Sequence, residues 1–188
     1  VGRDTTELIK SEVIRGTIET VAENTIDGVL APLFYSMIGI FIDMPVELML
    51  LYKTINPLDS MVGYIQEPYK DIGYASAKLD DLPNYIPARL GSLLMLIAGI
   101  FRGFHGKNGF RILIRDRRNH KSPNCGYPEA VTAGLINIQL GGTNRYFGEI
   151  LHKPTIGDAS EKLDPYHIIR TINIMYGSQV CMITGFGI

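Results

Sequence analysis

The apolar positions fall into blocks separated by short polar stretches. From residue 5 to residue 25, Leu8, Ile9, Val13, Ile14, Ile18, Val21 and Ala22 keep the 3.6-residue period of an amphipathic helix, with Asp4 and Thr5 able to cap it. Glu19, Glu23 and Asp27 recur every fourth residue, flanked by Thr20 and Asn24, so a helix would carry all three acids on one stripe. Like charges at that spacing repel, so something must compensate for them. Residues 28–42 are then almost wholly apolar, Asp43, Pro45 and Glu47 interrupt, and "LMLLYKTI" resumes. A helix that crosses a bilayer needs about 20 apolar residues, and neither half reaches that. Pro32 and Pro45 predict either a kinked or broken helix at membrane depth or two short hydrophobic hairpin arms. A pair of buried helices in a soluble core fits the same hydropathy.

Residues 56–89 form a polar centre with four prolines, which predicts loop and short helices. Residues 90–101 are apolar again. The next segment, "RGFHGKNGFRILIRDRRNHK", carries seven Lys or Arg and one acid, Asp116. A basic block directly after an apolar run fits a cytoplasmic loop under the positive-inside rule, and a solvated helix face fits it too. Ser122, Pro123, Asn124 and Gly126 predict a turn. Pro128 and Glu129 then open a helix of small residues that "LGG" at 140–142 closes. The tail is polar from Lys153 to Asp164 and helical and apolar after it. No internal repeat and no series of strands is visible. The pattern reads as all-α.

Composition narrows this only a little. At 188 residues the chain is long enough for one domain with a real core, and we read residues 1–188 as a single domain. A formal net charge of −1 gives no nucleic-acid signature. Mean hydropathy of +0.11 is high for a soluble enzyme. Cys125 and Cys181 make no disulfide framework, which suits a reducing compartment or a membrane. His105, His120, His152 and His167 share no metal-ligand spacing, so zinc is not expected. The chain starts at Val1 without a signal peptide, and the expectation is a C-terminal portion of a larger protein.

The familiar catalytic motifs are absent. "GFHGKNG" lacks the glycine and hydroxyl spacing of a P-loop, and there is no nucleophile elbow or zincin pattern. Three polar clusters remain: Glu19, Glu23, Asn24 and Asp27; Asn56, Asp59 and Ser60; Asp80, Asp81, Asn84 and Arg89. Carboxylates in this number suit a hard cation with a phosphorylated substrate. Solvated helix faces and ion pairs with Arg3, Lys78 or Arg89 are the plainer account. "SPNCGYPE" reads equally as an anion-binding helix start or an ordinary turn.

Taken in order, "VGRDT", "ETVAENTIDGVLAPLFY", "NPLDSMVGY", "YASAKLDDLPNYIPARL", "SPNCGYPEAVTAG" and "LGGTNRYFGE" closely resemble the CobD/CbiB family of cobalamin biosynthesis, the integral-membrane adenosylcobinamide-phosphate synthases. The resemblance runs from Val1 to about Gly157 and is weak beyond it. It implies a multi-span α-helical membrane protein whose N-terminal membrane helices are absent from this chain. It also implies amide formation between adenosylcobyric acid and aminopropanol phosphate, or ethanolamine phosphate, with ATP and magnesium. The partners expected are the corrinoid, the amino-alcohol phosphate and the lipid bilayer. A corrinoid carrier or sensor of the same fold is the alternative. Chemistry, rather than the resemblance, suggests the residue roles. Glu19, Glu23 and Asp27 are expected in metal or base roles, and Asp59, Asp80 and Asp81 as further metal ligands. Arg3, Arg89 and Asn124 are expected on phosphate, with Asn24 and Asn56 as further cofactor contacts. Pro57 stands where the family pattern suggests threonine, which puts a ligand role there in doubt, and Cys125 stands where a small Ala or Gly is expected.

Overall fold

A computed structural model describes residues 8–57, 70–146 and 149–187. The first helix, α1, runs Lys10–Asn24, and the Ile9 N–H donates to the Glu12 carboxylate at 3.0 Å to begin it. The expected caps Asp4 and Thr5 lie outside the described residues. Ile14, Ile18 and Ala22 form the buried stripe of α1, and Glu19 is buried on the same face. The helix passes through a π turn, Thr25–Leu30, into α2, Ala31–Ile40, and α3 follows at Pro45–Ile55.

The α2–α3 pair is the hairpin that the two prolines allowed. Pro45 stands in the first turn of α3, where a missing N–H is tolerated, and Pro32 follows directly on the π turn. The reversal is tight. The Gly39 carbonyl accepts the Met44 N–H at 2.9 Å, Asp43 takes φ 57°, and a Cβ on Gly39 would lie 2.5 Å from the Met44 carbonyl oxygen. At the tip, Ile40, Phe41, Ile42, Met44 and Val46 are exposed.

Two corrections to the sequence reading follow. From residue 70 on, the polar centre is not loop and short helices: Lys70–Phe101 is one helix, α4, with Pro83 and Pro87 inside it, while residues 58–69 of that expectation lie outside the described residues. Pro87 has no N–H to give the Pro83 carbonyl one turn back, and the Tyr35 hydroxyl donates to that carbonyl at 2.9 Å instead. A side chain from α2 thus repairs the break. The second correction concerns "LGG". The small-residue helix α6, Gly126–Leu135, ends before it, and Leu140, Gly141 and Gly142 lie in β1, Gln139–Tyr146. That strand pairs antiparallel with β2, Glu149–Gly157, so the described residues are mostly helical with one β-hairpin rather than helical throughout. Asn137 at φ 58° turns the chain out of α6, and a bulge falls between Gly141 and Gly142. Gly141, at φ 69°, packs its Cα directly on the Pro154 carbonyl, a place no side chain fits.

The basic segment forms a helix, α5, Gly106–Asp116, and the chain ends on α7, Tyr166–Gly185. At the centre lies α6, packed against α1, α4, α5 and both strands, with Ala130, Val131, Ala133 and Leu135 fully buried. Its small residues permit this. Leu135 lies against Gly99 and Gly109, and Gly134 lies against the backbone of α5. The hairpin is held to α5 by charge. Asp116 accepts the Gly157 N–H at 2.8 Å and Arg115 Nε at 2.7 Å, and Asp158 pairs with Arg111 and Arg115.

Lys78–Phe101 is the one helix among the described residues long and apolar enough to cross a membrane, with mean hydropathy 1.4 and half of its apolar window buried. Leu82, Ile86, Leu93, Ile97 and Ile100 leave an apolar stripe exposed along it.

Replacing Gly39 with Ala forces the α2–α3 turn apart. Thermal unfolding should show a loss of about 2 kcal/mol, the scale of overpacking a tight contact. An unchanged midpoint would mean that the turn is not as close as described.

A candidate carboxylate centre

The acid stripe of α1 separates into three environments. Glu19 is buried and accepts the Gly141 N–H of β1 at 2.9 Å. Glu23 faces Glu129, from the first turn of α6, and His120, from the chain just before it. Asp27 lies inside the π turn, close enough to Glu23 for the two charges to interact. It faces Asp80 and Lys53, and its own carbonyl accepts the Tyr52 hydroxyl at 3.3 Å.

The central group is Glu23, His120 and Glu129. One ligand-capable atom from each lies within 4.8 Å of the others. His120 Nε2 stands 3.8 Å from Glu23 Oε1. Burial raises the Glu23 carboxyl above the usual range, with Lys153 opposing and Glu19 adding to the rise. Burial raises Glu129 further, helped by Glu23 and Glu19. An oxygen of each carboxyl lies within 4.8 Å of one on the other, a closeness that favours a proton or a cation between them. Burial also keeps the Cys125 thiol protonated beside Glu23, and burial with Lys153 lowers His120. The Asp27 carboxyl is pushed up to about 7 by burial, Asp80 and Glu23.

Around this centre two neighbouring residues of α4 point in different directions. Asp80 accepts from Asn56 and from Asn84, each at 3.0 Å, and Asn84 accepts the Tyr52 hydroxyl at 2.7 Å. Asp81 instead receives the Ser122 hydroxyl at 3.2 Å, and its carbonyl accepts Asn124 Nδ2 at 2.9 Å. Arg89 lies 3.3 Å above the Tyr85 ring and 4.6 Å from Tyr127, and donates to Asn124 Oδ1 at 3.3 Å. Asn124 thus ties α4 to the turn that starts α6.

Of the sequence candidates, the structure gathers Glu19, Glu23 and Asp27 with Asp80, and Asp81 with Arg89 and Asn124. Asn56 joins the Asp80 group. Asn24 is exposed and donates back to the Thr20 carbonyl at 2.9 Å. Arg3 and Asp59 lie outside the described residues. Sequence reasoning did not pick out His120, Glu129, Lys153 or Tyr52 for the site. Glu129 stood out only as a residue that opens a helix, and no spacing links it to Glu23. The donor set fits a hard cation: Glu23 from α1 and Glu129 from α6 bring carboxylate oxygen to one partly buried point, with Glu19 close to both.

Comparison with known proteins follows the same lines. The model of a family described as "CobD/Cbib protein" matches residues 1–175. A "Cobalamin biosynthesis protein CobD" of Geobacter metallireducens is 52% identical over 183 residues, 97% of this chain and 56% of that protein. The protein of the same description from Listeria monocytogenes serotype 4b is 52% identical over 176 residues, 94% of this chain and 54% of that one. A "Cobalamin biosynthesis protein CbiB" of Salmonella arizonae is 48% identical over 186 residues, 99% of this chain and 57% of that one. The chain therefore spans about half the length of these curated relatives. No solved structure matches it.

Raised carboxyls bind more protons in the folded chain than in the unfolded one, so their stabilising effect is complete at low pH and is lost as pH rises through the folded values. Metal-free protein should lose stability as pH climbs towards and past about 7, the Asp27 value, and Asp27→Asn should flatten that slope in denaturant titrations. Glu129→Gln should stabilise the metal-free fold by about 1 kcal/mol at neutral pH while weakening magnesium binding about tenfold or more, read by calorimetry.

Proposed function

The chain belongs to the CobD/CbiB family of cobalamin biosynthesis proteins, and on that premise we propose that it carries the carboxylate site of an amide-forming synthase. The substrates in this reading are adenosylcobyric acid and an amino-alcohol phosphate, aminopropanol phosphate or ethanolamine phosphate. ATP activates the propionate carboxyl as an acyl phosphate with release of ADP. The amine nitrogen attacks that carbonyl, the C–N bond forms, and phosphate leaves.

The observation that carries the proposal is the meeting of half-buried Glu23 with buried Glu129, with buried Glu19 nearby, drawn from distant parts of the chain. Burying like charges together disfavours folding, and a site is the usual reason that such an arrangement persists. Glu23 and Glu129 are the residues that would hold magnesium, with the charge of Glu19 close by. Magnesium held there would neutralise charge on the phosphates of ATP. The other roles fall to the chain. Asp27, with a pKa of about 7, is matched to take a proton from the ammonium group of the incoming amine at working pH. Arg89, stacked between Tyr85 and Tyr127, presents a planar guanidinium suited to a phosphate, and Asn124 fixes its position.

We extend the proposal to the membrane. The apolar stripe on α4 and the apolar tip of the α2–α3 hairpin support a multi-span protein of the cell membrane, this chain being one part of it. The basic segment 102–121 then faces the cytoplasm.

The test uses the full-length parent protein in nanodiscs, supplied with adenosylcobyric acid, aminopropanol phosphate and magnesium ATP, with mass spectrometry for the amide. Product should form, and Glu23→Gln and Asp27→Asn should each lower the turnover rate about 100-fold or more while remaining folded. Saturable corrinoid binding without product would replace this reading with that of a carrier. For topology, Lys107→Cys in a background with every native cysteine of the parent changed to Ser should resist an impermeant maleimide added to intact cells and react after lysis. Reaction from outside would reverse the orientation.

A further inference from the structure

The grouping of Glu23, His120 and Glu129 has the outward form of a mixed carboxylate–imidazole metal site. The other ring nitrogen of His120 argues against that form. The backbone N–H of Ser122 donates to His120 Nδ1 at 3.1 Å. A nitrogen that accepts a hydrogen bond holds a lone pair and no proton. In a neutral imidazole the single proton must then sit on Nε2, the nitrogen that faces Glu23 Oε1 at 3.8 Å. An Nε2 that carries a proton has no lone pair to give a metal. Ligation through Nε2 would move the proton to Nδ1 and set two N–H groups against each other at Ser122. Imidazoles that bind metals show the opposite arrangement, with the remote N–H donating to a carbonyl or carboxylate.

We propose that His120 positions the Glu23 carboxylate as an Nε2–H donor and is not a metal ligand, so that a cation in this pocket is held by oxygen alone. The inference rests on the reading of the pocket as a cation site and sharpens it. It makes the site selective for hard cations, because a soft or borderline metal such as zinc gains nothing from an imidazole turned the wrong way. It also gives His120 a fixed place. Ser122, which holds Nδ1, donates its hydroxyl to Asp81 on α4, so the ring is aimed at α1 by a turn that α4 itself anchors. The gap of 3.8 Å is one that a small closing movement makes into a hydrogen bond, as hydrogen bonds in ligand-free sites commonly tighten on binding.

The experiment uses the full-length parent with nitrogen-15 histidine, and His120→Gln to assign the signal. In metal-free protein the His120 spectrum should show a one-bond proton coupling at Nε2 and an unprotonated Nδ1, and added magnesium should leave that pattern in place. Pulsed electron paramagnetic resonance of bound manganese(II) should show no directly coordinated nitrogen. His120→Ala should weaken manganese binding about tenfold, the scale for losing an outer partner, whereas His120→Gln, which keeps an N–H donor, should stay within about threefold of the parent. A proton on Nδ1, or a nitrogen coupling to manganese that His120→Gln abolishes, would overturn the proposal. If the parent binds neither manganese nor magnesium, the cation reading of the pocket falls, and the metal-free spectrum still decides whether His120 is a donor towards Glu23.

Discussion

Carboxylates that lose their water in the same place must share a proton, meet a cation or accept N–H groups, and in this protein Glu19, Glu23 and Glu129 meet that demand in different ways. Glu19 takes a backbone N–H from Gly141. Glu23 and Glu129 lie against each other, with Lys153 nearby to offset part of the charge. Much of the architecture is arranged around this point. The central helix α6 carries Glu129 into the core, and its small residues let α4 and α5 come close enough to exclude solvent. The β-hairpin supplies the N–H that Glu19 needs. The hairpin is itself clamped to α5, where Asp116 stays below the usual carboxylate range despite its burial because Arg115 and the Gly157 N–H hold its charged form.

The long helix α4 does the positioning. Its two internal prolines would ordinarily break it, and Tyr35 supplies one of the lost hydrogen bonds from α2. Asp80 and Asp81, adjacent on its surface, serve two separate purposes. Asp80 gathers Asn56 and Asn84 beside Asp27, and Asp81 anchors the turn that carries Ser122 and Asn124. The same helix offers an apolar stripe to the outside. Polar contacts and an exposed apolar stripe therefore share one element on different faces.

The acids of α1 and the π turn that follows it do not share one environment. Glu19 is satisfied by a backbone N–H of β1, Glu23 meets Glu129, and Asp27, inside the π turn, lies near Asp80, Glu23 and Lys53, where burial and the two acids push its carboxyl up to about 7.

The first helix, the apolar run at 90–101 and the last helix were legible in the chain, because each rests on local periodicity, whereas Pro32 and Pro45 left a kinked helix, a pair of hairpin arms and buried core helices all open. The ordered motifs were enough for the family. Glu19, Glu23, Asp27, Asp80 and Asp81 were legible as candidates because acids beside apolar segments are costly wherever they sit. The continuity of α4 was not legible, since a tyrosine on another helix repairs its proline break. The β-hairpin was hidden because Gly141 and Gly142 signal a turn as readily as a bulge. Glu129, His120 and Lys153 were hidden for a more general reason. Local sequence determines which side chains share a helix face. Which faces then press together, and so which charges must answer one another, is settled only when the whole chain packs.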